Sequence, residues 1–366
     1  MKPKYSGKKI IKAGEDLINS DIILNDDERF SEAMNILSYW RFSHEIPLDE
    51  AFKYIQEIAL KKDKTAIFAK RLKRHISIVR KLRRFERMKL KNMQDIGGCR
   101  TVLSTQKKLV QIVRDLKKLP QFIHEDGKHR FKDYIKKPKD DGYRSYHLIG
   151  KFKDRYGQKK SIEVQLRTRI QHYWATALEI VDLFTDQALK SNQGDEIWEA
   201  FFYSVSAQFA IMDSIHLFNT FNPNKKFLEY SKILNKDSNN FESFETAKKL
   251  SAKLKIFKKL GAFAGSLEIV NDKLCKITGS GYVLLKIDTS KTTVYSKIFD
   301  ENESNIAEQE YIDAEKDVAN KPEIVIALVS TNTLGNIKEA YPNYFADSTE
   351  FLNHLTLITE AKIQYR

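Results

Sequence analysis

The stretch from Asp141 to Thr168, DGYRSYHLIGKFKDRYGQKKSIEVQLRT, constrains the fold most, because residue types alternate with period two on both sides of a charged turn. Such alternation suits two paired strands with one face in a core. In the second strand Ile162, Val164 and Leu166 fall on one side, and Glu163 and Gln165 on the other. In the first, Tyr143, Ser145 and His147 share a face. Pairing the two brings a phenol, an imidazole and a carboxylate over one area of sheet, which is the candidate active site.

The charge balance says what such a site would meet. A net charge of +14 over 366 residues favours polyanionic partners or phosphorylated substrates. The excess is concentrated in KKDKTAIFAKRLKRHISIVRKLRRFERMKLK, residues 61–91. Like charges at helical spacing repel, so an anion is expected there. The pattern predicts a helix over about 65–90, with Ile67, Leu72, Ile76, Val79, Leu82 and Phe85 as its apolar stripe. Arg71, Lys73, Ser77, Lys81 and Arg84 would project from its cationic side or its entrance. Lys151, Lys153, Arg155, Lys159 and Lys160 are further contacts for a polyanion by charge alone.

At 42% hydrophobic content the chain can bury two cores, and no apolar run approaches membrane-spanning length. MKPKYSGKKII lacks the apolar region of a signal peptide, so a cytoplasmic protein without a membrane partner is expected. The two cysteines, Cys99 and Cys275, are far apart and imply neither a disulfide framework nor a zinc site.

Along the chain, DLINSDIIL, FSEAMNILSYW and LDEAFKYIQEIAL have helical spacing, and Trp40, Arg41 and His44 within them read as packing residues. DIGGCRTVLS turns abruptly β-like. A helix over 107–118 stops before Pro120, more strands surround a Lys-Pro turn, and a helix follows over about 169–184. This order predicts an α/β domain, a mixed sheet flanked by helices. Residues 191–260 read as helical. Beyond Gly261 a hairpin in GSGYVLLKIDTSKTTVYSKIF, an acidic helix in AEQEYIDAEKDVANK and a strand in PEIVIALVS predict a smaller α+β domain, giving an expected division into 1–260 and 261–366.

Asp95 and Glu163, on neighbouring strands beside a cationic segment, suit Mg²⁺ held partly by substrate phosphates. Lysines and arginines would neutralise a nucleoside triphosphate, and a carboxylate could take a proton from an attacking hydroxyl. Residue chemistry thus reaches phosphoryl-type transfer to a nucleoside and leaves the acceptor open.

Four ordered motifs within residues 30–185 resemble the RelA/SpoT family of pyrophosphokinases. RLKRHISIVRKLRR resembles the family's ATP-binding segment, MQDIGGCRTVL its metal-binding strand, DGYRSYH its acceptor loop and IEVQLRT its catalytic strand. The resemblance implies a nucleotidyltransferase-like synthetase fold with ATP as pyrophosphate donor and Mg²⁺ as cofactor. Arg71 and Arg100 would sandwich adenine; Lys73, Ser77, Lys81 and Arg84 would hold phosphates; Asp95 would bind Mg²⁺. Glu163 would be the general base toward an acceptor 3′-hydroxyl and touch the metal. Gln165 would orient it, Tyr143 would stack on the acceptor base and His147 would support that pocket. No hydrolase domain of the family is recognisable, so a synthetase-only chain is expected.

SYWRFSHEIPL and QHYWATALE resemble the toxic small alarmone synthetases, which implies the 3′ end of tRNA as acceptor; guanosine nucleotides, GDP or GTP, are the alternative. Glu179 departs from that subgroup's Trp-Ala-x-x-Glu register by one residue. The whole chain resembles the CapRel fused toxin–antitoxin proteins, whose C-terminal pseudo-zinc-finger domain restrains the toxic domain. That resemblance implies an autoinhibitory role for Tyr341 and Tyr344 at the adenine site, and release by a phage capsid protein.

Overall fold

The computed structural model describes residues 3–73, 75–185, 196–274, 281–288, 291, 293–318, 321, 324–330 and 344–363. The chain divides into two units, Met1–Lys136 with Ser145–Thr168, and Lys137–Arg144 with Arg169–Arg366.

The first unit opens on α1 (Gly7–Asp16), α2 (Ser20–Asn25), α3 (Asp27–Phe42) and α4 (Glu45–Leu60). Ser6, Asn19 and Asp26 cap the first three, each side chain accepting from an amide of the first turn that has no partner within the helix. There follow β1 (Ile67–Leu72), α5 (His75–Arg84), β2 (Gly97–Leu103), α6 (Gln106–Lys117), β3 (Arg130–Asp133), β4 (Tyr146–Lys153) and β5 (Lys159–Thr168). The strands form one mixed sheet in the order β1-β2-β5-β4-β3, in which β2 and β5 are parallel and all other neighbours antiparallel.

Alternation decides which side of the sheet is core. Ile162, Val164, Leu166, Cys99 and Leu148 pack against Leu48, Ala51 and Ile55 of α4 and Leu109, Ile112 and Leu116 of α6. A second cluster joins Ile10, Leu37 and Trp40 to Ile78 and Leu82 of α5. The expected helical packing of Trp40 and His44 is present. Both are buried, their rings meet edge-on at 4.8 Å, and His44 Nδ1 donates to the Trp40 carbonyl.

The helix expected over 65–90 is corrected. Its first part is β1, paired residue for residue with β2 from Ile67↔Val102 to Leu72↔Gly97, and the Lys73 amide extends the pairing to the Ile96 carbonyl at 2.7 Å. Cross-strand pairing satisfies these backbone groups and divides the cationic run between a strand and the ten-residue α5, which relieves the repulsion of one long basic helix. The first strand of the opening pair is also shorter than expected, starting at Tyr146. Before it Gly142 adopts φ +86° and Asp141 accepts from the Tyr143 amide, so Tyr143 sits in a turn.

The second unit contains α7 (Arg169–Thr185), α8 (Glu196–Ser214), α9 (Pro223–Leu234), α10 (Phe241–Lys253), α11 (Ile256–Leu274), β6 (Gly281–Asp288), β7 (Thr293–Asp300), α12 (Ser304–Val318), β8 (Ile324–Ser330) and α13 (Tyr344–Glu360). Its antiparallel sheet runs β7-β6-β8, in accord with the expected hairpin, acidic helix and strand. The division near residue 260 is not where the units part. Phe201, Phe202, Phe209, Phe244 and Phe263 share one core with Val283 and Leu285 of β6 and Phe351 and Leu355 of α13, so helices expected to belong upstream fold with the tail.

Candidate active site

On β5 the residues between the core positions, Glu163, Gln165 and Arg167, lie on the opposite face of the sheet. Register brings their partners to that face: Gly98 and Ile149 flank Glu163, and Arg100 and His147 flank Gln165. Arg71 stands opposite Gly98 on β1, so Arg71 and Arg100 are diagonal neighbours on one face.

Glu163 is held at both oxygens. His147 Nδ1 donates to Oε1 at 3.0 Å and Gln165 Nε2 to Oε2 at 2.7 Å. Burial pushes this carboxyl upward, but the His147 hydrogen bond and charge, the Gln165 bond and the charge of Lys81 outweigh it and hold the group at about 2. Glu163, His147 and Gln165, all candidate site residues in the sequence, are thus joined by hydrogen bonds. Tyr134 was missed: its ring meets that of His147 edge-on, centroids 5.1 Å apart. Its place in KDYIKKP, beside the Lys-Pro turn, was the available signal.

Asp95, just before β2, accepts from two lysines at one oxygen: Lys73 Nζ at 3.0 Å and Lys81 Nζ at 2.8 Å, both to Oδ2. Arg41 Nε donates to the Lys73 carbonyl at 2.8 Å, fixing the segment that carries this lysine. Ser77, Lys81 and Arg84 recur at four- and three-residue steps on α5 and share its face, with Arg84 exposed. Lys81 thus connects the two carboxylates, by contact with Asp95 and by its charge on Glu163.

These residues fit a divalent cation. Asp95 Oδ1 is buried without a hydrogen-bond partner, an acceptor awaiting a donor or a metal, and each Glu163 oxygen keeps a second lone pair. A pair of carboxylates is enough for Mg²⁺ when phosphates complete its shell. Among the described residues no group of three or more His, Cys, Asp or Glu gathers as a metal cage.

The two glycines before Cys99 differ. A Cβ at Gly97 would lie 2.7 Å from Ile162 Cδ1 and close to His44 and Leu48, in the core. A Cβ at Gly98 would meet only the Glu163 carbonyl oxygen, at 3.7 Å, so the site's face is open above it.

Over this stretch the decisive comparison is with a family model described as "Region found in RelA / SpoT proteins". The match covers residues 70–180. The GTP pyrophosphokinase YwaC of Bacillus subtilis (strain 168) is 33% identical over 141 residues, which are 36% of this chain. The chain spans 64% of that curated relative's length. Among solved structures, small alarmone synthetase 1 from Bacillus subtilis bound to its product pppGpp is 22% identical with a TM-score of 0.41, covering 48% of this chain and 93% of its own. A GTP pyrophosphokinase family protein from Streptococcus pneumoniae is 20% identical, TM-score 0.41, covering 53% and 96%.

The matched residues 70–180 include all the expected ATP, metal and acceptor residues, but not all sit in one unit. Tyr143 belongs to the second, half-buried against its core with Lys139 Nζ 4.6 Å from the ring centroid. Of the additional basic candidates, Lys160 is corrected: it is buried, 3.3 Å from Asp154 Oδ2 and 4.0 Å from the centroid of the Trp40 ring, so it serves packing. Lys151 Nζ donates to Ser161 Oγ. Tyr341 and the Tyr344 side chain lie outside the described residues, as does Cys275. No helix among the described residues is long and apolar enough to cross a membrane.

Proposed function

We propose that this chain is a cytoplasmic ATP-dependent pyrophosphokinase that transfers the β,γ-pyrophosphoryl group of ATP to a nucleoside 3′-hydroxyl, with the 3′ end of tRNA as acceptor. The observation that carries the reading is the doubly held Glu163 carboxylate and the diagonal pair Arg71 and Arg100 on one sheet face, together with the Asp95–Lys73–Lys81 cluster, whose Lys81 charge acts on Glu163. The acceptor oxygen forms a bond to the β-phosphorus as the bond between the α–β bridging oxygen and that phosphorus breaks, and AMP leaves with the electron pair. Arg71 and Arg100 clamp adenine, while Lys73, Ser77, Lys81 and Arg84 meet phosphate charge. Asp95 and Glu163 would hold Mg²⁺, which supplies charge neutralisation at the bridging phosphates.

Glu163 takes the acceptor's hydrogen bond and finally its proton. Its low pKa makes it a weak base, which a loose transition state tolerates because the nucleophile is deprotonated late. His147 and Gln165 fix which lone pairs remain to face the hydroxyl.

The tRNA acceptor is supported by the net charge of +14 and by the QHYWATALE likeness. A guanosine acceptor, GDP or GTP, is the second reading, favoured by the name of the relative, a GTP pyrophosphokinase. The proposal includes restraint by the tail, with Tyr341 and Tyr344 occupying the adenine position, and release by a phage capsid protein that binds the open state better. Incubation with γ-labelled ATP should label deacylated tRNA, and labelling of GDP or GTP alone would sink the tRNA reading. In the full chain, Tyr341→Ala with Tyr344→Ala should raise growth arrest without a trigger; unchanged growth would remove the restraint from the proposal.

A further inference from the structure

Within the second unit, the turn that carries Tyr143 is fastened to α8, a helix that begins beyond the residues matched by the family model. The two approach closely at Gly142. A Cβ there would sit 3.1 Å from Tyr203 Cα, 3.1 Å from Ser206 Cβ and 3.5 Å from the Phe202 carbonyl oxygen, and φ is +86°. Glycine alone meets both demands. Ser206 is 3% exposed, and its hydroxyl donates to the Gly142 carbonyl and accepts from Arg144 Nε at 3.1 Å. A helical serine commonly turns its hydroxyl back to a carbonyl of its own helix. Ser214 and Ser266 do so, donating to the Ile211 and Ala262 carbonyls. A hydroxyl has one proton to give, and Ser206 gives it to the turn.

The bond falls on a particular peptide. The Gly142 carbonyl and the Tyr143 amide belong to one plane. Ser206 holds its oxygen, and Asp141 Oδ1 accepts from its N–H at 2.8 Å. The flanking peptides close the turn, the Gly142 amide donating to the Lys139 carbonyl at 2.9 Å and the Lys139 amide to the Tyr143 carbonyl at 3.3 Å. Rotating the Gly142–Tyr143 plane would break the bonds at both of its ends and swing the tyrosine ring with it. We infer that Ser206 on α8, acting with Asp141, is a positioning residue for the acceptor: it fixes the peptide plane that carries Tyr143, so that this ring is already ordered when the acceptor base arrives. Ordering the ring in advance removes a cost from acceptor binding. The inference rests on the transfer reading above and on the acceptor role that the RelA/SpoT resemblance implies for Tyr143. Ser206 itself touches neither substrate nor reacting atoms; it works through the turn.

The test is equilibrium binding to the full chain without ATP, with deacylated tRNA in one arm, GDP in the other and a non-hydrolysable ATP analogue as the control ligand. Ser206→Ala and Asp141→Ala should each weaken binding of the true acceptor about tenfold. Asp141→Asn, whose amide oxygen still accepts from the Tyr143 N–H, should bind as the parent does. Affinity for the ATP analogue should stay the same throughout. In a Tyr143→Leu background, Ser206→Ala should change acceptor affinity by less than about twofold, because the ring it positions is gone. Unaltered acceptor affinity in Ser206→Ala, equal losses for acceptor and ATP analogue, or an undiminished loss in the Tyr143→Leu background overturns the role. So does a parent that binds neither acceptor. A parent that binds an acceptor and shows these shifts but transfers no pyrophosphate overturns the transfer reading and leaves the positioning role standing.

Discussion

His147 Nδ1 donates to Glu163 Oε1 at 3.0 Å across the β4–β5 pair, and this bond decides the protonation state of the site. Burial alone would raise the Glu163 carboxyl above its ordinary 4.5, yet with His147, Gln165 and Lys81 around it the group lies at about 2. Near neutral pH it is a carboxylate, a negative charge for a cation and a hydroxyl.

Glu163→Gln should therefore lower turnover by about two to four orders of magnitude with the fold intact. His147→Ala should act differently. Without its main partner the carboxyl rises, so the acid limb of the pH–rate profile moves to higher pH than in the parent. The same sign governs stability: a folded pKa below the unfolded 4.5 contributes above that pH and is lost progressively as pH falls toward 2. Profiles of kcat against pH for parent and His147→Ala check this; coincident acid limbs would remove His147 from the role.

Gly97 and Gly98 are adjacent but should respond oppositely. Gly97→Ala forces a Cβ to within 2.7 Å of Ile162 in the core, an overpacking worth about 1–3 kcal/mol, read as a lower thermal midpoint. Gly98→Leu projects into open space above the site, so it should leave the midpoint nearly unchanged and cut kcat/KM by about a hundredfold through lost substrate room. Equal losses of stability in the two variants would contradict the assignment of their faces.

How much of this was legible follows from the forces that act locally. The β5 alternation and the cluster of Glu163, Gln165 and His147 could be read because strand period and burial agree there. Strand β1 could not. Its Lys70, Arg71 and following cations look like the start of α5, and only pairing with β2, more than twenty residues away in sequence, makes it a strand. Lys160 looked like surface charge because sequence does not show that Trp40 and Asp154 enclose it. The Gly97–Gly98 difference needs the register, and the merging of helices α8–α11 with the tail needs the shared core.

Lys160→Ala makes a prediction of stability rather than activity. Its side chain and that of Asp154 are 4% and 3% exposed, so removing the ammonium leaves a buried carboxylate without that cation. Two backbone amides, of Tyr156 and Gln158, still donate to Asp154 Oδ1, but Oδ2 loses its cation. Breaking one side of a buried pair costs about 3 kcal/mol. Chemical denaturation should show a loss of that size, and Lys160→Met with Asp154→Asn should recover part of it.

His44 ties acid sensitivity to the first unit. Burial, with the charges of Lys160 and Lys151 adding to it, lowers this imidazole from 6.5 to about 4 despite its bond to the Trp40 carbonyl and the nearby Asp154. Between those values the unfolded chain binds the proton and the folded chain does not, so stability falls as pH drops from 6.5 toward 4, by up to about 1.4 kcal/mol per pH unit. His354 on α13, lowered to about 4 chiefly by burial, gives the second unit a dependence of the same sign. His44→Leu removes only the first contribution, and the Ser43 hydroxyl still donates to the Trp40 carbonyl at 2.7 Å. The variant should be less stable at pH 7 but lose less between pH 7 and pH 5 than the parent in urea titrations. An undiminished loss would mean that His44 is already protonated in the folded chain.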